Sequence, residues 1–145
     1  MSNNNDCIFC KIINGQISCS RIYEDKDVLA FLDIAPVSKG HALVVPKQHC
    51  KNFIETPHDI ICKCVDVIKK IAPAITLATG SEGFNVGVNN GRAAGQVVFH
   101  THFHIIPRIT NDGLINWTHS SYTAGEMEKV QKLIISATNE EKIQH

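Results

Sequence analysis

The 145-residue chain is 43% apolar and carries 14 basic against 14 acidic side chains, with an isoelectric point near 7.1. That balance leaves no broad field to attract nucleic acid or an anionic membrane, and no apolar run approaches the roughly 20 residues of a membrane span. A single domain over residues 1–145, with its own core and a locally recognised small-molecule ligand, is the class that remains. The opening Met1-Ser2-Asn3-Asn4-Asn5-Asp6 lacks the basic and apolar regions of a signal peptide, which predicts a cytoplasmic location, with a nuclear one open, and reduced thiols at all six cysteines.

In chain order the patterning is α+β. Lys11-Ile12-Ile13-Asn14-Gly15 predicts the end of a short helix with Gly15 as its left-handed cap. Arg21 to Glu24 and Val28 to Leu32 predict two strands of a hairpin turned by Asp25-Lys26-Asp27. His41 to Val45 predicts a third strand, stopped by Pro46. Thr56-Pro57 predicts a helix start with threonine as N-cap, and Ile60, Ile61, Cys64, Val65, Ile68 and Ile71 give that helix one buried face, with a possible kink at Pro73. Phe84 to Val88 and Val97 to Ile106 predict strands four and five. Thr123 and Glu126 form a capping box before Met127, Val130, Leu133 and Ile134, which repeat at helical spacing.

Chemistry concentrates in the fifth strand. His100, His102 and His104 alternate with Thr101 and Phe103, so a continuous strand points three imidazoles to one face and Phe99, Phe103 and Ile105 to the other. At about 3.3 Å per residue, the outer two lie about 13 Å apart, too far to share one metal. The loop before them, Asn89-Asn90-Gly91-Arg92-Ala93-Ala94-Gly95-Gln96, is rich in glycine and amides and can bring N–H groups to an anion. Cys7-Ile8-Phe9-Cys10 has metal-ligand spacing, whereas Cys19, Cys50, Cys62 and Cys64 read mostly as small buried hydrophobes. His58, His119 and His145 read as surface residues. On residue types alone, Asp33 also fits a turn before Pro36, Trp117 fits a core or partly buried position, and a His-x-His pair fits a cupin-like metal site that lacks its acidic ligand.

His100-Thr101-His102-Phe103-His104-Ile105-Ile106 resembles the His-x-His-x-His-x-x signature of the histidine triad (HIT) superfamily of nucleotide hydrolases and transferases. Cys7 to Ile13, Leu29 to Ile34, Gly40 to His49 and Gly95-Gln96 are similar to its Hint branch, so the resemblance covers about residues 6–110 and leaves 111–145 as a variable segment. It implies a HIT fold, an antiparallel five-stranded sheet with two main helices, paired as a homodimer in which Trp117 packs across the interface. It implies a catalytic set of His41, His100, His102 and His104. In that set His102 attacks the α-phosphorus through Nε2, its Nδ1–H held by the His100 carbonyl, and His104 and His41 bond phosphate oxygens or relay a proton.

The resemblance also implies a ribose ligand at Asp33 and an apolar slot of Ile8, Phe9, Ile12, Leu32 and Ile34 for a purine base. Donors toward the phosphate come from Asn89, Gly95, Gln96 and the neighbouring Val97. The expected activity is that of a purine nucleoside phosphoramidase, alternatives being a dinucleoside polyphosphate hydrolase and a non-catalytic nucleotide-binding protein. Cys7, Cys10, His49 and His100 are the matching positions for a structural Cys2His2 zinc site. The sequence departs from the Hint pattern at Val97, where a serine is usual, and Pro107-Arg108 is similar to the Fhit branch, which cleaves diadenosine polyphosphates.

Overall fold

A computed structural model of the chain describes residues 6–143. It separates into two units, the first ending at Asp112 and the second beginning at Gly113. In the first, α1 (Ile8–Ile13) precedes β1 (Arg21–Glu24), β2 (Val28–Leu32), β3 (Ala42–Pro46), α2 (His58–Thr79), β4 (Gly83–Val88) and β5 (Phe103–Arg108). A turn of 3-10 helix, Arg92–Ala94, lies between the last two strands.

Local chemistry explains each start and stop. Gly15, at φ 75°, ends α1, the N–H of Gln16 reaching Lys11 O at 2.8 Å and that of Gly15 reaching Ile12 O at 3.0 Å. The first hairpin forms because the Asp25 carboxylate accepts the N–H groups of both Asp27 and Val28 at 2.8 Å. All pairings are antiparallel and the order is β1-β2-β3-β5-β4.

Both faces of this sheet are covered, and alternation along each strand divides the side chains between them. Val28, Ala30, Ala42, Val44, Phe103 and Ile105 pack against Cys64, Val67, Ile68, Ile71, Ala72 and Ile75 of α2. Leu29, Phe31, Leu43 and Val45 pack against Cys7, Phe9, Cys10 and Ile12 at α1. His104 pairs with Leu43 in register, so it faces the α1 side.

Four expectations are corrected. The fifth strand runs Phe103–Arg108 rather than Val97 to Ile106, because the chain before it bonds to another segment instead of the ladder: Thr101 N–H donates to Cys50 O at 2.8 Å, and the His100 ring to Pro46 O at 2.8 Å. Phe99 is half-buried beneath the Arg92 guanidinium, 4.9 Å from its ring centre, not in the core. Thr56 does not cap α2; the N-cap is Pro57, and the Thr56 hydroxyl pairs with Thr101 Oγ1 at 2.7 Å and donates to Asn52 O at 2.8 Å. Val65 is 40% exposed, its expected place in the core taken by Val67, because the stripe of α2 follows residues 60, 64, 67, 68, 71 and 75. The helix continues through Pro73 to Thr79.

β4 ends one edge of the sheet, with Phe84 and Val86 exposed. The second unit contains α3 (Glu126–Ile143), whose start is fixed as the capping box predicts, Thr123 N–H donating to the Glu126 carboxylate at 2.8 Å. Trp117, Met127, Leu133 and Ile134 are exposed. His58 and His119 lie at the surface, and His145 lies outside the described residues. All six cysteines are free thiols; Cys50 and Cys64 are buried, Cys19 is half-buried and Cys62 is exposed. No helix among the described residues is long and apolar enough to cross a membrane.

Candidate active site and metal-ligand cluster

On the α1 face lies a cavity of about 430 Å³. One wall is α1 and the end of β2: Ile8, Phe9, Ile12, Phe31, Leu32, Asp33 and Ile34, extended by Ile17, Ser18 and Cys19. The other wall carries His102 and His104 with Gly95, Val97 and Val98. Every residue expected of the apolar slot is therefore present on one side, and two of the three triad imidazoles face it from the other. A flat apolar base fits between such walls.

Asn89 and Gln96 occupy different places. The Asn89 amide lies behind the turn, donating to Gly95 O at 3.3 Å. Gln96 is 3% exposed and its side chain staples the loop: Oε1 accepts Gly91 N–H at 2.9 Å, while Nε2 donates to Lys51 O at 2.8 Å and Val98 O at 3.1 Å. The main-chain N–H groups of Ala94, Gly95 and Gln96 bond back to Gly91 and Arg92. The Gln96 amide and the N–H groups of Gly95 and Gln96 are thus engaged within the turn.

His102 Nδ1 lies 2.7 Å from His100 O. A carbonyl only accepts, so Nδ1 holds the proton and Nε2 keeps its lone pair. Phe9 packs edge-on against the ring, with 5.0 Å between centres, and limits its rotation. Burial pushes the His102 pKa down, against the His100 carbonyl, which favours the charged form, so a neutral ring is what the site holds.

A second chain of bonds sets the other two imidazoles. Val37 N–H donates to His41 Nδ1 at 3.1 Å, which leaves the His41 proton on Nε2. That nitrogen is 2.9 Å from His104 Nδ1, so His104 must accept there and carry its own proton on Nε2. His104 Nε2 is buried and has no partner among the described residues. A buried donor without an acceptor, on a residue of the cavity wall, is a place where an acceptor atom of a ligand can bond. Burial drives His41 down against the pull of Asp33, and drives His104 down to about 4, helped by His102 and His41.

Asp33, His41 and His104 also group closely enough to suggest a metal. The Val37 contact argues against it, because a ligating Nε2 with Nδ1 already accepting an amide hydrogen would strip His41 of both protons. The other cluster fits a metal. The ligand atoms of Cys7, Cys10, His49 and His100 lie within 4.8 Å of one another. His100 Nδ1 is 3.4 Å from Cys7 Sγ, 3.6 Å from Cys10 Sγ and 3.2 Å from His49 Nδ1, close to the edges of about 3.3 to 3.8 Å that Zn–N and Zn–S bonds give a tetrahedron. His100 Nε2 donates to Pro46 O, so Nδ1 turns an unshared pair toward the cluster. The metal-ligand cluster and His102 thus meet at one residue, the ring of His100 facing the cluster and its carbonyl holding His102 Nδ1–H.

Sequence reasoning missed the lining side chains Ile17, Ser18, Cys19 and Val98, and also three groups that act through the main chain. Val37 N–H, Pro46 O and Cys50 O leave no side-chain signature, so no residue pattern announces them.

Residues 14–111 match the HIT domain family. The chain belongs to it. Among its HIT relatives, adenylylsulfatase HINT3 of Arabidopsis thaliana is 50% identical over 117 residues, 81% of this chain and 58% of that protein. Adenosine 5′-monophosphoramidase hnt1 of Schizosaccharomyces pombe is 50% identical over 102 residues, covering 70% and 74%. The crystal structure of a HIT family protein from Bacillus subtilis matches with a TM-score of 0.81 at 41% identity, over 90% of this chain and 96% of that one. A zinc-bound histidine triad protein from Mycobacterium smegmatis matches with a TM-score of 0.74 at 37% identity, over 81% and 85%. The family assignment makes the chain similar to nucleotide hydrolases, and the α+β five-stranded architecture agrees with theirs. The paired cysteines lie before the family match, in α1 and the residue that precedes it.

An unfolded imidazole takes up its proton near pH 6.5, whereas His104 in the fold does so at about 4. Between these values the unfolded chain binds more protons, so His104 contributes a stability that is complete above 6.5 and falls as the pH drops toward 4. Imidazole NMR titration of His104 in the folded protein is expected to give a midpoint near 4. A midpoint at or above 6.5 would contradict the neutral relay.

Proposed function

We propose that the protein hydrolyses, or transfers the nucleotidyl group of, purine nucleoside 5′-monophosphates substituted at phosphorus, through a covalent nucleotidyl-His102 intermediate. Phosphoramidates are the class the sequence resemblance suggests, and the two named relatives act on adenylyl sulfate and on an adenosine 5′-monophosphoramidate. The observation that carries the reading is the pairing of a free His102 Nε2 with the unpartnered Nε2–H of His104 on one cavity wall.

In this reading the base packs on the apolar wall of Ile8, Phe9, Ile12, Leu32 and Ile34, and the ribose hydroxyls donate to Asp33. One Asp33 oxygen is held by Ala35 N–H at 2.9 Å, which fixes the carboxylate. The phosphate then meets His102, whose Nε2 pair attacks phosphorus while His104 donates to a phosphate oxygen and stabilises the growing negative charge. His41 holds His104 in the donating tautomer. Gly95 and Val97 border the phosphate side, Asn89 supports their turn, and water finally cleaves the P–N bond.

Zinc at Cys7, Cys10, His49 and His100 is part of the same proposal, supported by the donor set and by the zinc-bound relative. With four protein ligands the ion would be closed and structural, fixing α1 to the segment before β5. We place a homodimer contact on the β4 edge of the sheet, beside exposed Phe84 and Val86.

Intact-mass analysis after brief mixing with adenosine 5′-phosphoramidate or adenylyl sulfate is expected to show an AMP adduct in the wild-type protein and none in His102→Ala, with turnover falling by at least about 10⁴-fold. Equal turnover in the variant would remove the covalent reading. Native mass spectrometry of the purified protein is expected to show paired chains with one zinc per chain. A metal-free or single-chain species that retains full activity would refute the corresponding part.

A further inference from the structure

The thiols of Cys7 and Cys10 take no part in the reaction at His102, yet the residues between them shape its cavity. Both cysteines are reduced, and their sulfurs lie within 4.8 Å of each other. They stand one helical turn apart, Lys11 N–H donating to Cys7 O at 3.1 Å. Cys-x-x-Cys is also the spacing of dithiols that close to a disulfide and reopen. Each sulfur rests on His100 Nδ1, at 3.4 Å and 3.6 Å, and Cys10 lies 3.3 Å from His49 Nδ1. Ile8 and Phe9, the two residues between the thiols, line the cavity. The Phe9 ring meets His102 edge-on at 5.0 Å between centres, His100 at 6.0 Å and Phe31 at 5.8 Å. The dithiol therefore frames the turn that walls the base side and props the His102 ring.

We infer that Cys7 and Cys10 are a reversible redox-modification site, closing to a disulfide that weakens nucleotide binding in the cavity. This rests on the nucleotide reading of that cavity. The oxidant is a small-molecule disulfide such as glutathione disulfide. The Cys7 sulfur, 9% exposed against 5% for Cys10, gives up its proton and bonds to one glutathione sulfur. The glutathione S–S bond breaks, and its electron pair leaves on the other sulfur, which takes that proton. The Cys10 sulfur then loses its proton and bonds to the Cys7 sulfur. The mixed S–S bond breaks, and its electron pair and the second proton leave with the second glutathione. Two cysteines are thereby oxidised by two electrons, and one glutathione disulfide is reduced to two thiols. Closure withdraws both sulfurs from His100 and draws together the ends of the Ile8-Phe9 turn, displacing the wall that the dithiol form presents to a base. It also removes two of the four donors in the Cys7, Cys10, His49 and His100 cluster, because thiolates, not disulfide sulfurs, ligate metal. Coupling of this kind is reciprocal: by whatever factor closure weakens nucleotide binding, bound nucleotide opposes closure.

The test equilibrates the full chain in glutathione buffers of graded thiol-to-disulfide ratio, with and without saturating AMP. Peptide mass mapping reads the disulfide and titration calorimetry reads AMP affinity. The peptide that holds Cys7 and Cys10 is expected to lose the mass of two hydrogen atoms in oxidising buffer. AMP affinity is expected to fall about tenfold on closure, and saturating AMP to raise by the same factor the oxidant ratio needed for half closure. Zinc carried by the purified chain is expected to leave as the disulfide closes; zinc retained by the closed chain would overturn the shared use of the thiols. A Cys7–Cys10 disulfide with unchanged AMP affinity would overturn the inference and leave the nucleotide reading intact. No bond between these two cysteines in the most oxidising buffer would overturn it as well. AMP bound by neither form would remove the nucleotide reading, and this inference with it. Cys7→Ser is expected to bind AMP equally across the buffers, and a redox dependence that survives in the folded variant would overturn the assignment to this pair. The reciprocal shift is read on the wild-type chain and needs no variant.

Discussion

The bond from His102 Nδ1–H to the His100 carbonyl, 2.7 Å long, is the constraint on which the site depends. It decides which imidazole nitrogen carries the proton and therefore which one keeps its lone pair. Burial alone would leave a neutral ring free to adopt either tautomer. A carbonyl two residues earlier permits one, and it can reach only because residues 98–102 leave the sheet before β5 begins. The irregular approach to the strand is thus what sets the His102 tautomer.

That irregular segment is held from outside. Thr101 bonds Cys50 O, the His100 ring bonds Pro46 O, and Gln96 ties the preceding turn to Lys51. All three partners lie in the stretch that runs from the end of β3 toward α2, which also contains His49. The Cys7, Cys10, His49 and His100 cluster joins the same stretch to α1, whose Phe9 flanks His102. Three covalently distant pieces of chain converge on one imidazole. A metal in that cluster would stiffen a geometry that hydrogen bonds and packing already define.

Much of this was legible in the sequence, and the reasons are local. Continuous apolar runs announced β2 and β3, the Asp25 turn announced the hairpin of β1 and β2, and a three-and-four repeat announced α2. The three histidines of the fifth strand and the Cys7–Cys10 pair announced themselves by type and spacing, whereas Asp33 read by type as a turn residue and entered the site only through the family resemblance. The failures share a cause. Val97 to Phe103 has good strand composition, and only the tertiary bonds of His100 and Thr101 draw it out of the ladder. Gln96 looked like a ligand donor because an amide beside glycines often is one; its burial as a staple depends on Lys51 and Gly91, distant or unremarkable in the sequence. Thr56 looked like a cap, yet Thr101 competes for its hydroxyl. The Val37 contact that sets two tautomers has no side-chain signature at all.

The account therefore stands on the protonation of one ring, and long-range ¹H–¹⁵N NMR of the histidine side chains at neutral pH measures it directly. The expected spectrum shows His102 protonated at Nδ1 and bare at Nε2. A His102 protonated at Nε2 in the folded protein would contradict the account, because the nitrogen facing the cavity would then donate a hydrogen bond instead of attacking phosphorus.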